Sequence, residues 1–316
     1  MIDVIYKTSV MISLQQLKYL ALLSETLHFR RAAERASVTQ PTLSAQLSAL
    51  EEKLGAQLVE RSRTRVVMTA EGEEIAARAR RVLAEVDEIV EIARRGQRAL
   101  GGTIRVGVVQ SLGSYFLPLV IPDLHAGYPD LRLYVREGLA SDLMARLEQG
   151  TLDMLFLPLP VTGAELEVAR LFREPLLATA ATDHPIAQLD RVPRDRLSGE
   201  RILTLETGHR LHDQVRRICE ETGAEISLDY GATSLDTIRQ MVAMGLGISL
   251  LPALYVRSEV RPNQLVTARP LAGPQPFRAV GMVWRARAAR SMEYHELAQV
   301  MRRILRETAP EVTVID

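Results

Sequence analysis

One 28-residue stretch constrains the fold most. It runs from His28 to Gly55 and reads HFRRAAERASVTQPTLSAQLSALEEKLG. Phe29, Ala32, Ala33 and Ala36 fall at helical spacing, and Ser37-Val38-Thr39 breaks the pattern. Thr39 is placed to cap a second helix, with Pro41 in its first turn, where the missing N–H removes no intrahelical bond. Leu43, Leu47, Leu50 and Leu54 form the buried stripe of that helix, leaving Gln40, Thr42, Ser44 and Gln46 outward at its N-terminal end. Two helices joined by a tight turn, the second presenting amides and hydroxyls, make a helix-turn-helix. Such a helix enters the major groove, where those groups read base edges.

The residues that follow, LVERSRTRVVM from Leu58 to Met68, set two short apolar runs around an Arg-x-Arg-x-Arg tip. The pattern predicts a β-wing whose Arg61, Arg63 and Arg65 meet phosphates or the minor groove. Between residues 13 and 70 stand eight basic and five acidic residues, a net of +3 in a chain with 39 of each sign. Neutrality excludes a globally basic coat but leaves this local patch. The expected DNA-facing set is Arg30, Arg31, Thr39, Gln40, Pro41, Thr42, Ser44, Gln46, Arg61, Arg63 and Arg65. The plain alternative is a small helical packing module with solvated charges.

Residues 71–98 lack proline and are rich in Ala, Arg and Glu, which predicts one long helix. Ile75, Ala79, Val82, Val86, Ile89 and Ala93 repeat every 3.5 residues, widened by Leu83 and Val90. That period keeps one stripe toward a partner helix, so the segment reads as a linker and dimerisation helix, or else packs on its own core. Gly101-Gly102 marks a hinge. Residues 103–308 then alternate strands (103–109, 131–137, 152–157, 176–180, 201–205, 226–230, 248–251, 278–284) with helices (115–126, 142–149, 209–222, 235–244, 292–307). Alternation of this kind predicts parallel sheets covered by helices, in two α/β lobes around a cleft. The expected division is a DNA-binding domain at 13–70, the helix at 71–98 and an effector domain at 103–308. Lobe I takes 103–174 and 278–308, and lobe II takes 175–277.

Apolar residues make up 47% and charged residues 25%, the balance of a globular rather than a disordered chain. Cys219 is the only cysteine, which excludes an intramolecular disulfide, a thiol switch within the chain and a four-cysteine zinc site. Apolar-rich runs such as Ile202–Leu205 fall far short of the ~20 residues a membrane span needs. The N-terminus shows no signal peptide, and Met11 offers an alternative start. A cytoplasmic protein with no membrane partner is expected.

On FRRAAERASVTQPTLSAQLSALEEKLG and LVERSRTRVVMTAEG, the chain resembles the LysR-type transcriptional regulators over about residues 13–307. Three further stretches resemble the hydrogen-peroxide-sensing OxyR branch of that family: FLPLVIPDLHAGYPDL, LETGHRLHDQVRRIC and ATSLDTIRQMVAMGLGISLLPAL. The resemblance implies a winged helix-turn-helix, a linker helix and a two-lobe α/β effector domain of periplasmic-binding-protein type. It implies homodimers or homotetramers on double-stranded promoter DNA, with a small-molecule effector, and RNA polymerase as a candidate partner. Two positions depart from the branch. Its peroxide-reactive cysteine follows the Gly-His pair, where this chain has Arg210, while Cys219 stands at the place of the partner cysteine. Ala140 stands where the branch tends to carry a threonine.

A guanidinium cannot reduce peroxide. Arg210 and His209 begin a predicted helix, whose N-terminus attracts anions, and a guanidinium there clamps a carboxylate or phosphate. The expected effector set is Gln110, Ser111, Thr207, His209, Arg210, Asp213, Thr233 and Ser234. The alternative for Arg210 is a structural ion pair with Asp213 or Glu206. The main reading is a regulator sensing a small anion or organic acid. The other is a peroxide-responsive activator using Cys219, the redox candidate, or a non-thiol site. His209-x-x-His212 with Asp213 lacks a third ligand, so no metal is expected. Gly245-x-Gly247 follows a helix and Gly107–Gly113 lacks a phosphate-loop lysine, so no cofactor and no enzymatic activity are expected.

Overall fold

The computed structural model describes residues 12–61, 66–94, 100–262 and 265–315. Two compact units divide the chain near Gly96.

In the first unit, α1 (Leu14–Thr26) opens with a capping box between Ser13 and Gln16. Helix α2 (Phe29–Arg35) is capped by His28, whose Nδ1 accepts from the Arg31 amide. A turn through Ser37 at φ 57° leads to α3 (Gln40–Leu54). Thr39 Oγ1 caps α3 by accepting from Thr42 N, and Gly55 ends it at φ 65°. Leu43, Leu47 and Leu50 are fully buried against Leu20, Leu23, Ala32 and Ala33. At roughly 1.5–3 kcal/mol for each buried side chain against about 1 for a cap, the stripe holds α3 and the cap sets its start.

The wing pairs β1 (Val59–Arg61) antiparallel with β2 (Val66–Met68). Glu51 Oε1 on α3 accepts from both Leu58 N and Val59 N, at 2.9 and 3.1 Å, and so ties the wing to the reading helix. Helix α4 (Ala70–Arg94) starts beside it, with Gly72 so close that a Cβ there would lie 2.1 Å from Leu58 O. Ala76 and Ala79 are buried, whereas Val82 and Ile89 are exposed. The expected stripe is thus half covered within its own unit. The side chains of Val90 and Ala93 lie outside the described residues.

The second unit contains β3 (Gly102–Val109), α5 (Gln110–Gly127), β4 (Leu131–Gly138), α6 (Ala140–Glu148), β5 (Met154–Leu159) and β6 (Leu166–Ala181). Then come β7 (Arg201–Leu203), α7 (Arg210–Thr222), β8 (Glu225–Ile226), α8 (Leu235–Ala243), β9 (Ile248–Pro252) and α9 (Ala253–Tyr255), which runs into a π-helical turn at Val256–Val260. β10 (Val266–Arg269), β11 (Phe277–Arg285), α10 (Ser291–Thr308) and β12 (Thr313–Val314) complete it. The sheet order is β4-β3-β5-β11-β6-β9-β7-β8. Helices cover two separate apolar cores. One is centred on Phe116, Phe156, Phe172 and Trp284, the other on Val215, Ile238, Val242 and Tyr255. We term these lobes I and II.

The sheets are mixed rather than parallel. β11 runs antiparallel to both β5 and β6, and β10 runs antiparallel to β6. β6 is 16 residues long, not a strand of lobe II alone. It pairs with β11 up to Pro175, then with β9 and β10 from Leu176 onward, so one strand serves both lobes. At that crossing Arg278 and Glu174 face each other, each at most 1% exposed. Arg278 Nε donates to Glu174 Oε2 at 2.7 Å, and its Nη1 and Nη2 donate to Ser111 Oγ and O, both at 2.9 Å. Glu174 Oε1 accepts from Leu254 N at 2.8 Å.

Removing one member of a buried, satisfied pair strands a charge and costs about 3–5 kcal/mol, whereas replacing both by apolar residues is often neutral. Glu174→Ala is therefore expected to destabilise the chain by roughly 3–5 kcal/mol in denaturant unfolding, and Glu174→Leu with Arg278→Met to recover most of that loss. A loss below about 1 kcal/mol for the single variant would contradict this role of the pair.

Candidate functional site

Thr39, at the cap of α3, and Gln40, Pro41, Thr42 and Gln46 along it are exposed, and Ser44 is half-buried. Arg30 and Arg31 are exposed on α2, with Arg30 in an i,i+4 pair with Glu34. Arg61 ends β1, but its side chain and all of Arg63 and Arg65 lie outside the described residues. The α3 face can present its amides and hydroxyls to a partner. Glu51, which anchors the wing through the Leu58 and Val59 amides, carries no mark in the sequence that singles it out.

A cavity of about 460 Å³ opens between lobes I and II. Lobe I contributes Ala140, Ser141, Met144 and Pro158–Pro160, and lobe II contributes Gly208, Arg210, Asp213, Gln214 and Arg217. Residues 210, 213, 214 and 217 share one face of α7 through i,i+3 and i,i+4 spacing. That spacing was the signal for Gln214 and Arg217, which sequence reasoning missed. Arg210 Nη1 donates across the cavity to Pro160 O. No carboxylate pairs with Arg210 among the described residues, so the expected alternatives of Asp213 and Glu206 are not its partners. Gln214 Oε1 is buried with no hydrogen-bond partner among the described residues. The N-terminus of α7 has no side-chain cap, because His209 stands at the cap position without making that bond. Burial lowers the His209 pKa, and Glu206 opposes the effect, so positive charge on the cavity wall comes from Arg210 and Arg217.

The remaining expected effector residues are not brought to this cavity wall. Ser111 is buried, with its hydroxyl and carbonyl accepting from Arg278. Its place after β3 suggested the cleft, but a guanidinium 167 positions away occupies it. Ser234 Oγ caps α8 by accepting from Thr237 N. Gln110, Thr207 and Thr233 are exposed outside the cavity lining.

Cys219 is 4% exposed in the core of lobe II, and burial pushes its thiol up to about 11. No cluster of metal-ligating side chains occurs among the described residues, and no described helix is long and apolar enough to cross a membrane.

Residues 14–73 match the family described as bacterial regulatory helix-turn-helix protein, lysR family, and residues 97–309 match the LysR substrate binding domain. The chain belongs to the LysR family. It is a LysR-type DNA-binding transcriptional regulator close to OxyR. Over 290 residues it is 40% identical to the "DNA-binding transcriptional dual regulator OxyR" of Escherichia coli strain K12, covering 92% of this chain and 95% of that protein. Over 293 residues it is 32% identical to the "HTH-type transcriptional regulator EstR" of Acinetobacter baylyi, covering 92% and 97%. A full-length OxyR variant from Pseudomonas aeruginosa superposes with a TM-score of 0.77 at 36% identity, covering 92% of this chain and 95% of that one. LysR-family architecture thus accounts for both units, and these relatives are regulators rather than enzymes.

The burial of Cys219 predicts low thiol reactivity. With its pKa about two units above the ordinary value, the thiolate fraction at pH 8 falls about 100-fold. Alkylation of the native chain by iodoacetamide at pH 8 is expected to be slower than that of the unfolded chain by at least that order. Equal rates would contradict the buried placement.

Proposed function

We propose that this regulator senses a small anion, such as an organic acid or phosphate, held between its lobes by Arg210. The carrying observation is that both positions departing from the peroxide-sensing branch, Ala140 and Arg210, line the same cavity. The reactive thiol and the hydroxyl are absent together, and a guanidinium and a methyl group take their places. Arg210, Arg217 and the uncapped N-terminus of α7 favour negative charge, and Gln214 Oε1 offers an acceptor to a ligand N–H or O–H. Arg210 already spans the cavity to Pro160, so an anion taking its free donors acts on the contact that joins the lobes. Effector binding then shifts lobe geometry and, through it, the arrangement of subunits on promoter DNA.

The exposed face of α3 supplies base readout, and the wing arginines Arg61, Arg63 and Arg65 supply phosphate contacts. A homodimer forms through α4, where Val82 and Ile89 are left uncovered, and pairs of dimers form the tetramer. RNA polymerase is the further partner for activation, and the setting is cytoplasmic.

A second reading is favoured by the names of the relatives. A "Hydrogen peroxide-inducible genes activator" of Haemophilus influenzae is 36% identical over 290 residues. In that reading Cys219 reports peroxide alone. Against it stand the burial of that thiol and the lack of a second cysteine. A peroxide-dependent change in DNA binding that disappears in Cys219→Ser would replace the anion reading.

Calorimetric titration of the full chain with phosphate, acetate, citrate and benzoate tests the main reading. At least one is expected to bind saturably, and Arg210→Ala to weaken it about tenfold or more, the usual scale for a charge-assisted pair. Unchanged affinity in Arg210→Ala would remove the clamp. On DNA, Gln40→Ala is expected to lose about 1–3 kcal/mol of discrimination at one base pair with the salt slope kept, and Arg63→Ala to reduce that slope by about one. Salt-independent DNA binding would contradict the phosphate contacts.

A further inference from the structure

The α7 face that lines the interlobe cavity does not carry a single sign of charge. Arg210 and Arg217 are cationic, but Asp213 stands between them. The orientation of the helix is fixed by its other residues. Leu211 and Val215 are buried in the core of lobe II, His212 Nδ1 bonds to Leu205 O, and Arg216 pairs with Glu220. Those positions turn away from the cavity, and Arg210 confirms the remaining face by reaching Pro160 O on the opposite wall. An aspartate side chain is too short to leave the face that carries its Cα, so the Asp213 carboxylate lies at the cavity wall. It forms no ion pair among the described residues, because Arg210 is drawn across to Pro160 instead. Gln214 Oε1, the next acceptor along, is also without a donor. Pro158 and Pro160 on the facing wall have no N–H to give. A ligand that is only an anion therefore meets a like charge one turn along from its guanidinium. A ligand that also carries an ammonium meets an opposite charge at both positions.

We propose, resting on the clamp at Arg210, that the ligand is an amino acid, with its carboxylate at Arg210 and its α-ammonium at Asp213. Side chains at i and i+3 on one helix face are neighbours, about 5–6 Å apart at Cβ. That spacing suits a carboxylate and an ammonium set on adjacent carbons. The positive end of the α7 dipole fades within the first turn, so it favours the carboxylate at Arg210, the first residue, more than it opposes the ammonium at Asp213, the fourth. Met144 and Leu159, both half-buried on the lobe I side, leave apolar wall for the ligand's own side chain.

Calorimetry of the full chain at neutral pH tests this with pairs that differ only in the ammonium: L-alanine and propanoate, L-aspartate and succinate, L-phenylalanine and hydrocinnamate. At least one amino acid is expected to bind saturably and about fivefold or more tighter than its deaminated partner, the upper scale for an ion pair open to solvent. Asp213→Asn is expected to abolish that preference without weakening the deaminated acid, while circular dichroism stays unchanged. Arg210→Ala is expected to weaken both members of the pair. Equal affinity within every pair, or a preference kept in a folded Asp213→Asn, would overturn the amino-acid assignment and leave the clamp standing wherever Arg210→Ala still weakens the acids. No saturable binding of any of the amino acids would overturn the assignment too, and the acids alone then decide the clamp.

Discussion

The buried ion pair between Glu174 and Arg278 fixes the effector domain. Water is excluded from both charges, so each depends on the hydrogen bonds around it. Those bonds reach four elements: β6, β11, the start of α5 through Ser111 and the start of α9 through Leu254. The pair lies where β6 passes from one lobe's sheet to the other. Parting the two sheets at this point would strand both charges, at a cost of about 3–5 kcal/mol.

That geometry gives Arg210 its leverage. It sits on the lobe II face of the cavity and reaches the Pro160 carbonyl of lobe I. A guanidinium has five donors in a fixed fork, so one bond to Pro160 leaves others for a ligand. The same side chain thus makes a contact between the lobes and keeps further donors at the cavity wall. The chemistry differs from thiol oxidation in kind. Anion binding is reversible and set by concentration, whereas a buried thiol held near pKa 11 presents almost no thiolate at neutral pH. A chain 40% identical to OxyR thus keeps the lobes of that fold while the side chains on its cavity wall carry different chemistry.

Local signals made the DNA-binding unit legible. The leucine stripe, Thr39, Pro41 and Gly55 each act within a few residues, and α3 starts and stops where they place it. The α/β alternation was legible for the same reason. What escaped was decided at long range. Leu166–Pro175 carries Glu167, Arg170, Arg173 and Glu174 and ends in proline, so it lacks the look of a strand shared by two lobes. It pairs with β11, whose Arg278, 104 positions from Glu174, bonds to that carboxylate, and the same guanidinium occupies Ser111. Antiparallel β11 likewise follows from chain return rather than from any local pattern. Within the site, Arg210 and Asp213 were found from a motif, but Gln214 and Arg217 required extending the helical spacing by one more turn.

Sensing by Arg210 has its most direct test on DNA. Footprinting of an operator fragment by the wild-type chain and by Arg210→Ala, each with increasing concentrations of an anion that binds the wild type, separates recognition from response. Both proteins should occupy the same site, with the footprint or its bend changing on anion addition only in the wild type. The same anion-dependent change in both proteins, or a change driven by hydrogen peroxide with no anion present, would contradict it.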